Sequence, residues 1–385
     1  MDTHKLQLKN VGQIQDAEVE FGDLTVLVGP QASGKSIFLQ FLQLLLDTSS
    51  VLRELRKHGL SWNRDIGKFL DIYLGEGMRE IWKNGNKSEI LYKDKKVDIV
   101  TLIHTRKGKK GESLFYIPAQ RVLTLGRGWP RPFSDYGPGD PFSVRNFSDK
   151  VRLLMDAGLG SGKEGAIFPQ TRRLKTEFRQ ILNKTIFHGF GLRIDTYGAQ
   201  KRLVLKQDDS EATLPFMVWS AGQREFVPLL MGLYWLLPPS KVSRRQDIKW
   251  VVIEEPEAGL HPTAISAVLL LILDLLARDY RVCLSTHSPH VLDVVWALKV
   301  IREYQAPANR ILDLFGIRES LPMKRMAEAV LKKSARVYYF DQETGSTRDI
   351  SNLDPGSTEA TEAGWGGLSE FSGRVADIVS KVVAA

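Results

Sequence analysis

Gly29-Pro30-Gln31-Ala32-Ser33-Gly34-Lys35-Ser36 is the stretch that decides the fold. It has the form G-x-x-x-x-G-K-S, and its flanks supply the context that form requires. Before it, Leu24-Thr25-Val26-Leu27-Val28 is an apolar run of strand length. After it, Ile37, Phe38, Phe41, Leu42 and Leu45 recur at helical spacing between Ser36 and Leu46. A strand, a glycine loop and a helix in this order cradle phosphate. The glycines let backbone N–H groups close around phosphate oxygens. The helix start adds the positive end of its dipole. Lys35 would reach β- and γ-phosphates, and Ser36 would ligate Mg²⁺.

Three further elements follow, well separated from the loop. Trp219-Ser220-Ala221-Gly222-Gln223-Arg224-Glu225 opens an apolar helix predicted over 221 to 237. Ser220, Gly222 and Gln223 would form an anion site at that helix start, although a plain serine cap would read the same way in isolation. Val251-Val252-Ile253-Glu254-Glu255-Pro256-Glu257 is an apolar strand ending in paired acids. Glu254 suits the Mg²⁺ side, and Glu255 suits the orientation or deprotonation of an attacking water. Leu284-Ser285-Thr286-His287 ends another strand, where His287 could contact a γ-phosphate. Gln120, after the strand Ser113 to Ile117, could approach Mg²⁺ or the attacking water, or be a turn residue. His261 and His290 have no ligand spacing around them and make no metal site.

The strands Ile248–Glu254 and Arg281–Thr286 alternate with helices over 262–277 and 289–299. Fully apolar strands alternating with helices predict a parallel sheet covered on both faces. Residues 88 to 117 read as antiparallel strands with a turn at Gly108-Lys109-Lys110-Gly111, and short strands are predicted at 192–196, 202–206 and 213–218. Helices are predicted over 51–82, 148–156, 170–187 and 368–383, and a strand over 336–340.

The composition, 43% hydrophobic and 25% charged over 385 residues, is that of an ordinary globular protein. A single cysteine, Cys283, excludes an intrachain disulfide. No apolar run is long enough to span a bilayer and no signal segment opens the chain, so the expectation is a cytoplasmic protein without a membrane partner. Net charge is +8, and 15 Lys/Arg against 8 Asp/Glu fall between Val51 and Lys110. That excess permits phosphate contact with nucleic acid and equally describes a solvated surface. Arg121, Arg127, Arg131 and Arg145 alternate with Trp129, Phe133, Tyr136 and Phe142. Such a series could stack on bases, form a protein interface or pack on itself.

The four motifs together resemble the ABC-type ATPase heads of the SMC, RecF and overcoming-lysogenization-defect families. Glu254-Glu255-Pro256-Glu257-Ala258-Gly259-Leu260-His261-Pro262 looks most like the last of these and its stand-alone bacterial relatives. The resemblance covers roughly 1 to 48 and 215 to 300. It implies an α/β P-loop fold of ABC-head type, with a mainly parallel core sheet, an antiparallel β subdomain and a helical insertion. The implied core is 1–50 with 215–300, the insertion is 51–214, and 301–385 is an extension packing on the core. The resemblance further implies ATP and Mg²⁺. ATP would contact Gly29, Pro30, Gln31, Ala32, Ser33, Gly34, Lys35, Ser36, Ser220, Gly222 and Gln223. Ser36, Glu254 and Gln120 would hold the metal, and Glu255, His287 and Gln120 would act in catalysis. Residues 257–261 would contact an opposite subunit. The implied assembly is a homodimer or higher oligomer of ATP-sandwiched heads that acts on a separate effector, with a RecF-like DNA-binding role as the alternative. Trp219 stands where transporter signatures have leucine, and Glu254 where many heads have aspartate. No Asp-x-Asp follows Tyr338-Tyr339-Phe340-Asp341, so a fused nuclease is not expected.

Overall fold

A computed structural model describes residues 4–83, 87–105, 111–160, 165–238 and 244–383. Its centre is a six-stranded sheet built from β1 (Leu24–Val28), β2 (Leu114–Ile117), β3 (Trp250–Glu254), β4 (Arg281–Thr286), β5 (Ala335–Phe340) and β6 (Thr347–Asp349), in the order β6-β5-β1-β4-β3-β2. All neighbours pair in parallel except β5 with β6. Strand pleating sends alternate residues to opposite faces, and both faces are covered. Val26, Val28, Val251 and Ile253 enter one core with helices α3 (Ala221–Leu236), α4 (Pro262–Ala277) and α5 (Pro289–Glu303). Leu27, Trp250, Val252 and Cys283 enter the other, with α1 (Lys35–Lys57) and the antiparallel sheet formed by Lys5–Val11, Ile14–Glu20, Glu89–Tyr92 and Lys95–Lys96. This double burial explains why β1, β3 and β4 read as unbroken apolar runs.

A second antiparallel sheet, ordered Thr213–Pro215, Gln200–Lys206, Gly191–Tyr197 and Ala166–Phe168, leads into α3. The helix α2 (Phe142–Asp156) packs against α3 and β2.

Several expectations are corrected. Residues 88–117 are not one antiparallel series: a hairpin over 89–96 is followed by a helix, Ile99–His104, and then by β2, which pairs in parallel with β3. β2 is buried throughout, and its start is held by Asp47, at a break inside α1. Its carboxylate accepts the Ser113 N–H (2.8 Å), the Ser113 hydroxyl (2.7 Å) and the Leu114 N–H (2.9 Å), tying the start of β2 to α1. Residues 108–110 of the expected turn lie outside the described residues. A core strand thus comes from the 51–214 stretch, and two more come from the stretch after 300. Tyr338-Tyr339-Phe340-Asp341 ends β5, which runs beside β1 and borders the phosphate loop.

Part of the arginine–aromatic series packs on itself. Arg121 and Arg145 are buried with Phe133, Tyr136 and Phe142. Arg145 sits 4.6 Å over Phe133, and Arg131 sits 4.1 Å over Tyr136. Base stacking by these residues is therefore not supported.

Candidate ATP-hydrolysing site

The phosphate loop leaves the carboxyl end of β1, where ligands of open parallel sheets bind. Gly29 has φ of 150°, and a Cβ there would lie 2.4 Å from the Phe340 carbonyl oxygen, so the loop can leave β1 beside β5 only with glycine. Gly34 has φ of 96°, and a Cβ there would meet Ile14 Cγ1 at 2.6 Å. Lys35 turns its ammonium into the loop, donating to the Gly29 carbonyl (2.9 Å), the Pro30 carbonyl (2.7 Å) and Ser33 Oγ (3.2 Å). Burial lowers its pKa to about 8, while Glu255, Glu254 and Glu257 act in the opposite direction.

Glu254 is the last residue of β3 and is 1% exposed. Burial raises its carboxyl pKa, and the Ser36 hydroxyl and Ala119 N–H counteract this. The Ala119 N–H donates to Oε2 at 3.2 Å, while Oε1 is buried without a hydrogen-bond partner. A buried, unpartnered carboxylate oxygen beside the Ser36 hydroxyl fits a hard cation with oxygen ligands, as Mg²⁺ is. Gln120 follows Ala119 directly and is exposed at the start of the turn Arg121–Thr124, where its side chain caps nothing.

Glu255 adopts φ of 44°, which is uncommon for a residue with a side chain. Its N–H donates to the Ser285 carbonyl (2.9 Å), and its half-exposed carboxylate lies 3.6 Å from His287 Nε2. Burial lowers the His287 pKa, and Lys35 lowers it further. The imidazole is therefore neutral at neutral pH, with the Gly29 backbone within reach. Glu257 Oε1 accepts the Thr286 hydroxyl (2.8 Å) and the His287 N–H (2.7 Å), fixing the turn that presents His287. That brace was missed. Its only signal was a third acid in Glu-Glu-Pro-Glu, which the resemblance assigned to a loop facing an opposite subunit.

Ser220 caps α3 in a reciprocal box: its Oγ accepts the Gln223 N–H (3.3 Å), and Gln223 Oε1 accepts the Ser220 N–H (3.1 Å). Gln223 Nε2 donates to the Ile186 carbonyl at 3.2 Å. Trp219 is buried, with Nε1 donating to the Leu214 carbonyl (2.8 Å), so it serves as an apolar anchor before the exposed Ser220. Gly222 faces the 257–261 loop, and a Cβ there would stand 3.1 Å from the Gly259 carbonyl oxygen. Among the described residues, Ser220 and Gln223 thus bond to their own helix and to Ile186, not to Gly29–Ser36.

Lys35, Ser36, Glu254, Glu255 and His287 converge at the carboxyl ends of β1, β3 and β4. A family model described as "AAA ATPase domain" matches residues 1–110, and one described as "AAA domain, putative AbiEii toxin, Type IV TA system" matches 133–293. An OLD nuclease from Thermus scotoductus is 25% identical over 353 residues, covering 78% of this chain. The chain is an ATPase that is similar, over most of its length, to that OLD nuclease. It spans 62% of that relative's length. Among solved structures, an SMC head bound to the C-winged helix domain of ScpA is 10% identical, covers 91% of this ATPase and 97% of that chain, and has a TM-score of 0.42. A dimeric bacterial ABC transporter cassette is 12% identical, covers 89% and 97%, and has a TM-score of 0.35. No helix among the described residues of this ATPase is long and apolar enough to cross a membrane.

Proposed function

We propose that the chain is a cytoplasmic ATP-driven switch in which two heads close face to face, each capping the other's nucleotide, and reopen on hydrolysis. The observation that carries this reading is the incomplete anion site at Ser220–Gln223. Ser220 and Ala221 are exposed, yet the hydrogen bonds of Ser220–Gln223 are local, away from the loop that holds Lys35. A second copy supplies the missing half.

Within one site, the loop N–H groups and Lys35 hold the β- and γ-phosphates, the ammonium exchanging carbonyl partners for phosphate oxygens. Ser36 and Glu254 would hold Mg²⁺, which neutralises phosphate charge when bound, and Gln120 would reach it only by turning its exposed side chain inward. Glu255 orients the attacking water and accepts its proton, and neutral His287 donates to the γ-phosphate. Phosphoryl transfer draws chiefly on such positioning and electrostatics. Glu255→Gln should keep ATP affinity and slow turnover on the order of 10²-fold, as loss of a general base does. If Glu254→Gln instead gives that pattern while Glu255→Gln turns over normally, the two roles are reversed.

The output passes to a separate effector, a nuclease or toxin in anti-phage defence. This step draws support from the names of the similar nuclease and of the matching family. A RecF-like clamp on duplex DNA is the second reading, favoured by the basic balance of 51–110. DNA-stimulated ATPase activity that falls steeply with salt would single it out.

A further inference from the structure

Arg121 is 0% exposed and is among the largest fully buried side chains of the molecule. A buried guanidinium costs free energy unless its donors are matched, and here they are matched by the catalytic framework. Nη1 donates to the Glu254 carbonyl at 2.9 Å and to the Pro118 carbonyl at 3.4 Å. Nη2 donates to the Glu255 carbonyl at 2.9 Å. Nε donates to the Glu225 carbonyl, in the second turn of α3, at 3.1 Å. The Glu225 carboxylate stands 3.7 Å from Nη2. One side chain thereby joins the end of β2, the acidic end of β3 and the helix that begins with Ser220.

Two features give this junction a mechanical meaning. Glu255 has φ of 44°, a conformation its neighbours must enforce. The carbonyl Arg121 holds belongs to Glu255 itself, and the opposite edge of that residue is fixed by its N–H on Ser285. Second, α3 contains Pro228, which cannot donate to the Arg224 carbonyl one turn back. The turn carrying Ser220 and Glu225 is therefore less firmly tied to the buried remainder of α3. Gly259, after the acids, also packs on Ala221 and Glu225.

We propose that Arg121 is a positioning residue that holds the Glu255 backbone in its strained conformation and links that residue to the signature turn of α3, so that engagement at Ser220 sets the aim of the Glu255 carboxylate. This rests on the reading of Glu255 as the hydrolytic base. The planar fork is essential to it. A lysine ammonium is a single point and cannot bridge the Glu225, Glu254 and Glu255 carbonyls together.

The test is steady-state ATP hydrolysis by Arg121→Lys, alongside ATP affinity by direct titration and ATP-dependent pairing by solution mass. The expected result is a kcat lower by roughly 10–100-fold, the scale for a misplaced catalytic group, with ATP affinity within about threefold of the parent. Pairing is retained, so turnover per paired chain falls. In a Glu255→Gln background the same change should slow turnover by no more than about twofold, because the group it positions is already gone. Glu225→Gln, at a half-buried site, removes the carboxylate beside Arg121 and should give a smaller loss with the same pattern. If Arg121→Lys does not fold, Glu225→Gln decides. A folded variant with kcat within twofold of the parent overturns the proposal. So does equal loss of affinity and turnover, or full additivity with Glu255→Gln, since either marks a general structural role. A parent protein that hydrolyses no ATP overturns the ATPase reading, and this is seen before any variant is compared.

Discussion

Lys35 shows how one residue's surroundings set a measurable behaviour. Its ammonium is held by the Gly29 and Pro30 carbonyls and Ser33 Oγ, and burial brings its pKa to about 8. Below that pH the free protein presents a cation to phosphate, and above it a neutral amine. kcat/KM for ATP, which reports the free enzyme, should therefore fall above pH about 8. Bound phosphate favours the charged form, so kcat should hold to higher pH. A pH profile in which both parameters fall together would count against this assignment. Stability should carry the opposite trend. Between about 8 and the ordinary 10.5, the unfolded lysine holds a proton that the folded one has lost, so stability rises with pH in that window. His287, also lowered by burial, adds a loss of stability as pH falls below 6.5, where the unfolded imidazole charges first. Lys35→Ala removes a charge-assisted contact worth roughly 1.5–3 kcal/mol, so ATP affinity should drop about 10- to 150-fold. Titration showing less than a twofold change would refute the loop's role.

At the scale of elements, β2 pairs with β3 and is tied at its start to α1 by one side chain. Asp47 satisfies two backbone N–H groups and a hydroxyl at its entrance. Asp47→Ala should lower stability by roughly 2–3 kcal/mol, because those N–H groups lose a charged acceptor. Thermal or denaturant unfolding measures this, and an unchanged midpoint would show that the tie is dispensable. The same element marks where the sequence stopped being legible. β1, β3 and β4 were readable because burial on both faces makes them continuously apolar, and each ends in a chemical motif. Leu114–Ile117 is just as apolar, but its partner lies far ahead in the chain, and a local reading assigned it to the preceding hairpin. Glu255 and His287 were readable as motif residues. Arg121 and Glu257 were not, because their work is done through backbone carbonyls and N–H groups that any residue possesses. An arginine among aromatics signalled stacking, and only the fold shows that its donors point at Glu225, Glu254 and Glu255.

For the whole molecule, the decisive question is whether an ATP site is completed by one chain or two. The α3 start is linked to Ile186 through Gln223 and to the 257–261 loop through Gly222. Those contacts hold it at the surface beside that loop. Ser220→Arg places a bulky cation on that surface and leaves the phosphate loop intact, whereas Lys35→Ala does the reverse. Mixing the two proteins forms pairs with one undamaged composite site, made of the Ser220→Arg chain's loop and the Lys35→Ala chain's signature. The other site carries both defects. ATPase activity absent from either variant alone should reappear on mixing, up to about half that of the parent pair if each composite site works independently. Recovery should rise with total protein concentration, because pairing is bimolecular. A parent protein whose specific activity is independent of concentration while its solution mass stays that of one chain would exclude the two-chain site. The exposed Ser220–Gln223 turn would then be a helix cap and nothing more.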